Sequence, residues 1–287
     1  MEILHLSSSD VQRYFPDRMK NTHKGDYGKI LLICGSVGYT GAPALAALGA
    51  LRIGAGLVYL GVPESIYAIE ATRLLEPIVM PLSDSEGMLS ELCLERLAPI
   101  IDGMDAVLVG PGLGRSVHVT QVILWILKNF NGPVVLDADG INAIQMHKDV
   151  LRGRTSPTIL TPHEGEFCRF GGTLEAGRVS GAVAMAKDTG AIVVLKGHET
   201  VITNGNLCYV NTTGNPGMAV GGSGDVLAGM ITGLLGQGLD PVIASAVSVW
   251  LHGAAGDICA MELGQYSMLP SDMLNVLPRL LNNGGVT

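Results

Sequence analysis

Three stretches of this chain carry residues whose types and spacing suit chemistry. The first, Asn215–Gly238, reads NPGMAVGGSGDVLAGMITGLLGQG. Gly217, Gly221, Gly222 and Gly224 crowd the loop ahead of one carboxylate, Asp225, and an apolar small-residue helix begins at once. Glycine lets a backbone turn tightly and approach a ligand, and a helix N-terminus offers unpaired N–H groups at the positive end of a dipole. That describes an anion cradle with a carboxylate beside it. An Asp at a helix start is also the ordinary N-cap, and Asp225 taken alone fits that role, although the loop is longer than a cap needs.

The second stretch, Lys196-Gly197-His198-Glu199-Thr200, sets a cation, a glycine and donors together behind an apolar run. Nucleotide phosphates or a sugar suit such a set, as does a plain solvated turn. The third, Thr161-Pro162-His163-Glu164-Gly165-Glu166, packs a histidine and two carboxylates into four residues. These can orient a ligand or a hydrated Mg²⁺. Zinc is a poor match, with no third ligand at regular spacing and no Cys pair.

Three weaker clusters share this character. Ser36–Gly41 is neither a Walker A loop nor G-x-G-x-x-G, and Gly110–Ser116 lies too late for a Rossmann fingerprint. Asp137 and Asp139 follow an apolar run, where they suit a metal held through water or a helix cap; capping by Asp139 fits better. His5, His23, His118, His147 and His252 show no partner spacing and receive no role.

The elements that must position these clusters are legible as apolar runs. Lys29–Cys34, Leu57–Val62, Ile78–Pro81, Ala106–Val109, Pro133–Leu136, Thr158–Leu160 and Ala191–Leu195 read as buried strands. Helices are expected over Pro43–Ile53, Leu92–Ile101, Val119–Asn129, Ser180–Thr189, Val226–Leu235, Val242–Met261 and Ser271–Leu281. Val201–Thr203 and Leu207–Val210 flank a hairpin turn, and residues 1–25 form a leader that packs on the domain. Such alternation predicts an α/β fold, a mostly parallel central sheet with helices on both faces, as one domain over 1–287. In open sheets of this kind ligands bind at the carboxyl ends of the strands, where all six clusters fall.

Composition narrows the function. Of 287 residues 47% are hydrophobic and 15% charged, which is material for a large core. A net charge of −8 without a basic stripe argues against nucleic acid. The five scattered cysteines suit reduced thiols in a cytoplasmic protein. No signal peptide is expected at the charged N-terminus, and no transmembrane helix, since Arg52, His252 and Asp257 interrupt the apolar stretches.

HKGDYGKILLICGS, GYTGA, GPGLG, DADGIN, TPHEGE, KGHET and NPGMAVGGSGDVLAG, in this order, resemble the NAD(P)H-hydrate dehydratases of the ribokinase-like superfamily, from about His23 to about Leu281. The resemblance implies a three-layer α/β/α fold. It also implies dehydration of the S-epimer of hydrated NADH or NADPH, coupled to cleavage of ADP or ATP, through a phosphorylated intermediate. By matching position, Asp225 is the base for the hydrate's hydroxyl, with Gly222, Ser223 and Gly224 donating N–H groups to the phosphoryl group in flight. Lys196, Gly197, His198, Glu199 and Thr200, with Gly224, match nucleotide contacts. Ala42, Gly112 and His163, with Asp225, match contacts to the hydrated dinucleotide.

Many related kinases carry Asn-x-x-Glu where this chain has His163 to Glu166. Glu166 keeps the Mg²⁺-organising carboxylate, and His163 in place of Asn fits the dehydratase branch. The alternatives are a kinase for a small vitamin precursor and a nucleotide sensor without turnover. The resemblance further implies a homo-oligomer, a tetramer, and a separate epimerase, for which these residues leave no room.

Overall fold

The computed structural model describes residues 2–15 and 18–282. Its strands, in chain order, are β1 (Ile3–Leu4), β2 (Lys29–Ile33), β3 (Leu57–Pro63) and β4 (Ile78–Leu82). There follow β5 (Asp84–Ser85), β6 (Met88–Leu89), β7 (Ala106–Val109), β8 (Val134–Leu136) and β9 (Thr158–Leu160). Last come β10 (Ile192–Leu195), β11 (Val201–Thr203) and β12 (Cys208–Val210). Among the described residues ten of these form one sheet in the order β1-β12-β11-β10-β9-β8-β7-β2-β3-β4, and β5 and β6 pair apart. Within the ten-stranded sheet, among the described residues, β11 alone runs antiparallel to its neighbours, and β5 and β6 pair antiparallel apart from it.

Each central strand is apolar on both faces because both faces are covered. Ile30, Leu32, Ala106, Leu108 and Val194 belong to one buried cluster. The alternate residues Leu31, Ile33, Val107, Val109 and Val193 belong to another. The first layer holds the helices Gly41–Arg52, Ser223–Gly236, Pro241–Leu263 and Pro270–Asn282; the second holds Leu94–Ile101, Val117–Asn129 and Arg178–Thr189. This is the three-layer α/β/α arrangement expected.

The chain runs outward from β2 through β3 to β4, then returns to lay β7 on the other side of β2. The β2/β7 junction is therefore the point where strand order reverses, the usual place for a ligand crevice. The helix that opens with Asp225's loop is pressed onto Gly41–Arg52 backbone to backbone. A Cβ on Gly229 would stand 2.0 Å from the Ala46 carbonyl oxygen, and one on Gly49 would stand 2.5 Å from that of Val226. Any larger residue at either position would drive the two helices apart.

The expected elements are present with boundaries shifted by a few residues. Leu92–Ile101 divides into a 3-10 turn, Glu91–Cys93, and a helix, Leu94–Ile101. The leader contributes β1, which extends the far sheet edge by pairing with β12, and a short helix, Ser8–Gln12, capped by Ser7. Helix Glu64–Arg73 was not expected: it buries only Ile66 and Glu70, too few for a legible apolar face. Pro241–Leu263 corrects the expectation about apolar length. By length and composition it is long enough to cross a membrane, yet 78% of its most apolar window is buried inside the fold, the placement of a core helix.

Candidate active site

Three successive strand ends are welded by one carboxylate. Asp137 leaves β8, Thr161 leaves β9 and Lys196 leaves β10. Asp137 Oδ1 accepts from Lys196 Nζ at 2.7 Å and from Thr161 Oγ1 at 2.6 Å, and Asp137 is 1% exposed. The Asp137 carbonyl packs so tightly on Gly110 that a Cβ there would lie 1.8 Å away. Ala138, next in chain, takes φ 48 and ψ −115. A non-glycine residue in that region stores backbone strain, which is characteristic of functional sites.

Asp225 faces this assembly from the third residue of helix Ser223–Gly236. It is not the N-cap: Gly222 is, at φ 98, and no side chain caps the helix. The Gly224 and Asp225 amides find no acceptor among the described residues, which leaves them for a ligand. The Ser223 amide is turned instead to the Val220 carbonyl at 3.3 Å, a correction to its expected place among the phosphoryl donors. Gly224 stands over the ion pair, where a Cβ would come within 3.1 Å of Lys196 Nζ.

The electrostatics follow from this packing. Burial, and then the Asp137 charge, push the Asp225 carboxyl up to about 7, against the opposing pull of Lys196. Burial works against the Lys196 ammonium, but Asp137, Glu166 and Asp225 together outweigh it and hold its pKa above the usual lysine value. Cys34, at the end of β2, is held far into the thiol form by burial and by Asp225 and Asp137.

The remaining expected residues fall on two sides of this centre. On one side the β2 and β7 turns are tied together, with Ser36 Oγ donating to the Gly112 carbonyl at 2.7 Å and the Gly35 amide to that of Pro111 at 2.8 Å. A Cβ on Gly112 would touch the Ala42 Cβ at 3.1 Å, so Ala42 and Gly112 form one small-residue surface. Asp139 does not cap its helix; it accepts from the Gly114 amide at 3.0 Å and from Asn142 at 3.3 Å. Beyond this link lies a cavity of about 400 Å³ lined by Arg115, Ser116, Asn142 and His147.

On the other side, His163 is the N-cap of helix Glu164–Arg169. Its Nδ1 accepts from the Gly165 amide at 3.0 Å and the Glu166 amide at 3.4 Å, an arrangement that leaves the proton on Nε2. Glu166, 6% exposed, accepts from the His163 amide at 3.0 Å, completing a capping box. Thr200 Oγ1 donates to the Gly197 carbonyl at 2.9 Å and accepts from its amide at 3.3 Å, closing the Lys196–Thr200 turn. His198 and Glu199 are exposed on that turn and do not join the Asp137 assembly.

Two residues bonded to the elements of this site received no role in the sequence reading. His252, buried in helix Pro241–Leu263, lies 3.3 Å through Nε2 from Ser223 Oγ. Arg178 donates to the Leu195 carbonyl at 2.9 Å and the Lys196 carbonyl at 3.2 Å, and pairs with Glu164. Neither has a local signal; each is defined by residues remote in sequence. Among the described residues no group of three or more His, Cys, Asp or Glu is placed to hold a metal on its own.

A family model described as NAD(P)H-hydrate dehydratase matches residues 30–279. The bifunctional NAD(P)H-hydrate repair enzyme Nnr of Moorella thermoacetica is 41% identical over 285 residues, covering 97% of this chain and 54% of that protein. The chain thus spans about half the length of the curated relatives it matches. Among solved structures, the ADP/ATP-dependent NAD(P)H-hydrate dehydratase of Bacillus subtilis, co-crystallized with ATP/Mg²⁺, superposes with a TM-score of 0.84 at 32% identity, covering 99% of each chain. A ribokinase-like superfamily protein of Enterococcus faecalis V583 gives 0.86 at 26% identity, covering 99% of this chain and 96% of that one.

Proposed function

The chain belongs to the NAD(P)H-hydrate dehydratase family, and from that premise we propose that it uses ADP or ATP to dehydrate the S-epimer of hydrated NADH or NADPH. The observation that carries this reading is Asp225, a carboxyl pushed up to about 7 beside two unpartnered helix amides and the Lys196 ammonium. A base near neutrality and an anion cradle are the two things that phosphorylation of a hydroxyl requires.

Water leaves poorly, so the hydroxyl is phosphorylated first. The hydrate's hydroxyl oxygen attacks the terminal phosphoryl group, Asp225 takes its proton, and AMP leaves from ADP, or ADP from ATP. The Gly222 and Gly224 backbone, with the free Asp225 amide, stabilises the phosphoryl group in flight. The ring nitrogen's lone pair then expels phosphate, and the adjacent ring carbon gives up a proton to restore the dihydronicotinamide. Ala42 and Gly112 form the surface against which the ring lies, His163 contacts the hydrated dinucleotide from the other side of the centre, and the cavity beyond Gly114 takes the distal part of the dinucleotide. Lys196 to Thr200 and Gly224 hold the co-substrate nucleotide.

The acidic oxygens present fit Mg²⁺, which keeps water and binds through one or two carboxylates plus substrate phosphates. Glu166 would hold it, one carboxylate oxygen being spent on the His163 amide. When bound, the ion neutralises charge on the transferring phosphates.

The chain works as one domain, in the cytoplasm, with an epimerase supplied from outside these residues. Gly229, Gly233, Ala244, Ala246, Ala254 and Ala255, the small residues of the two helices, are buried within this chain. A homotetramer would rest on other surfaces, such as the exposed Met261, Tyr266 and Leu269. The test is hydrated NADH or NADPH with each nucleotide and Mg²⁺. Return of dihydronicotinamide absorbance with stoichiometric phosphate supports the reading, whereas a stable phosphorylated product would favour the vitamin-precursor kinase. Nucleotide binding without turnover would favour the sensor.

A further inference from the structure

Arg178 opens helix Arg178–Thr189, the end of a helix where a cation is opposed by the dipole. Its side chain is only 23% exposed, and its buried Nε has no partner among the described residues. A residue placed at such cost must be held by what its other donors do. Nη2 donates to the carbonyls of Leu195 and Lys196, the last residue of β10 and the first of the nucleotide turn. Nη1 pairs with Glu164, between His163 and Glu166. The guanidinium also fills the space where a Cβ on Gly197 would stand, 2.9 Å from Nη2 and 3.0 Å from Nη1.

We infer that Arg178 is a positioning residue for the nucleotide, through one planar group bonded to both the Lys196–Thr200 turn and the His163 turn. The inference rests on the nucleotide assignment made above for residues 196 to 200. The two turns already meet at a backbone bridge between His163 and Lys196, with the Lys196 amide donating to the Pro162 carbonyl at 2.8 Å. That bridge sets their spacing, and Arg178 sets the tilt of the peptide that follows. With the Lys196 and Leu195 carbonyls drawn down onto the guanidinium, the Gly197 side of the turn is presented outward to a phosphate or ribose. Lysine cannot do this, because an ammonium is a point charge and cannot serve two carbonyls and a carboxylate in one plane.

The experiment measures ADP and ATP binding by calorimetry and steady-state KM values for nucleotide and for hydrated NADH, on wild type, Arg178→Lys, Arg178→Ala and Glu164→Gln. The expected result is nucleotide affinity weakened about tenfold in Arg178→Lys and more in Arg178→Ala, with the hydrate KM within about twofold and kcat falling less than affinity. Glu164→Gln, which loses only one arm of the clamp, should fall between wild type and Arg178→Lys. Nucleotide affinity unchanged in a folded Arg178→Lys, or both KM values rising together, overturns the inference while leaving the functional reading intact. Wild-type protein that binds neither nucleotide overturns the reading itself, and this inference with it. If Arg178→Ala does not fold, the Lys and Gln variants decide the matter.

Discussion

Lys196 Nζ reaches Asp137 Oδ1 at 2.7 Å across the end of the intervening strand β9, whose Thr161 donates to the same oxygen. This ion pair neutralises the ammonium that would otherwise pull the nearby Asp225 back to an ordinary carboxylate. Asp137 thus acts twice on Asp225, by its own charge and by occupying Lys196.

A pH dependence follows from that arrangement. If Asp225 is the base, its ionised form is the active one, and kcat/KM for the hydrate should rise through pH about 7 and level off above it. In Asp137→Asn the charge that raises Asp225 is gone and Lys196 is released to lower it. Both changes have the same sign, so the acid limb should move to lower pH even as overall turnover falls. A limb that stays near 7 in this variant would show that some other group governs it.

Asp225→Asn should separate chemistry from stability. Loss of a positioned base costs roughly 10²–10⁴ in turnover, with nucleotide affinity nearly unchanged. The folded pKa of about 7 lies above the ordinary aspartate value of 3.8, so protonation favours the fold. That contribution is complete below the unfolded value and is lost as pH rises through about 7. At about pH 8 the asparagine variant should therefore melt higher than wild type, with the gap closing on acidification. Thermal melts of the two proteins across that range check the sign.

The fold, and the gathering of Gly-rich clusters at its strand ends, were legible because both are written in local pattern. Buried parallel strands are continuous apolar runs, and a strand end that touches ligand needs glycine and short polar residues. Gly112 lies close enough to Ala42 that a Cβ on it would touch the Ala42 Cβ, and Asp225 feels the charges of both Asp137 and Lys196. What sequence could not yield were pairings across strands. Asp139 read as a cap because capping is its common local role, yet it holds the Gly114 amide of a different turn. Asp225 read as a possible cap for the same reason, but the left-handed Gly222 ends the loop three residues earlier. His252 and Arg178 show the limit plainly: their partners lie 29 and 14 to 18 residues away, and neither sits in a motif.

Two glycine variants should fail differently. Gly222→Ala puts a side chain at φ 98 with its Cβ 2.5 Å from Leu45 Cδ1, so it should cost about 1–3 kcal/mol of stability as well as activity. Gly224 lies inside the helix without a positive φ, where alanine is the better helix former. Gly224→Ala should melt no lower than wild type, yet its methyl crowds Lys196 and the donor amides and should lower turnover roughly 10²-fold. Melting curves beside kcat values distinguish a strained loop from an obstructed cradle, and equal losses of stability in both variants would contradict it.

His252 makes the fold acid-sensitive from within. Burial, reinforced by the Lys196 charge and resisted by the Ser223 backbone, pushes its imidazole down to about 4, so it is neutral in the folded protein at neutral pH. Unfolded, it titrates near the ordinary value of 6.5. The unfolded chain therefore binds more protons between those two values, and the stability present above pH 6.5 is lost as pH falls toward 4, by up to about 1.4 kcal/mol per pH unit. His252→Gln, which keeps a polar partner for Ser223, should flatten that part of the stability profile while costing little at neutral pH. Denaturant melts of both proteins through this window measure the slope directly. Parallel curves would place the acid sensitivity elsewhere, and a steeper wild-type curve would tie it to the histidine that supports the first residue of the Asp225 helix.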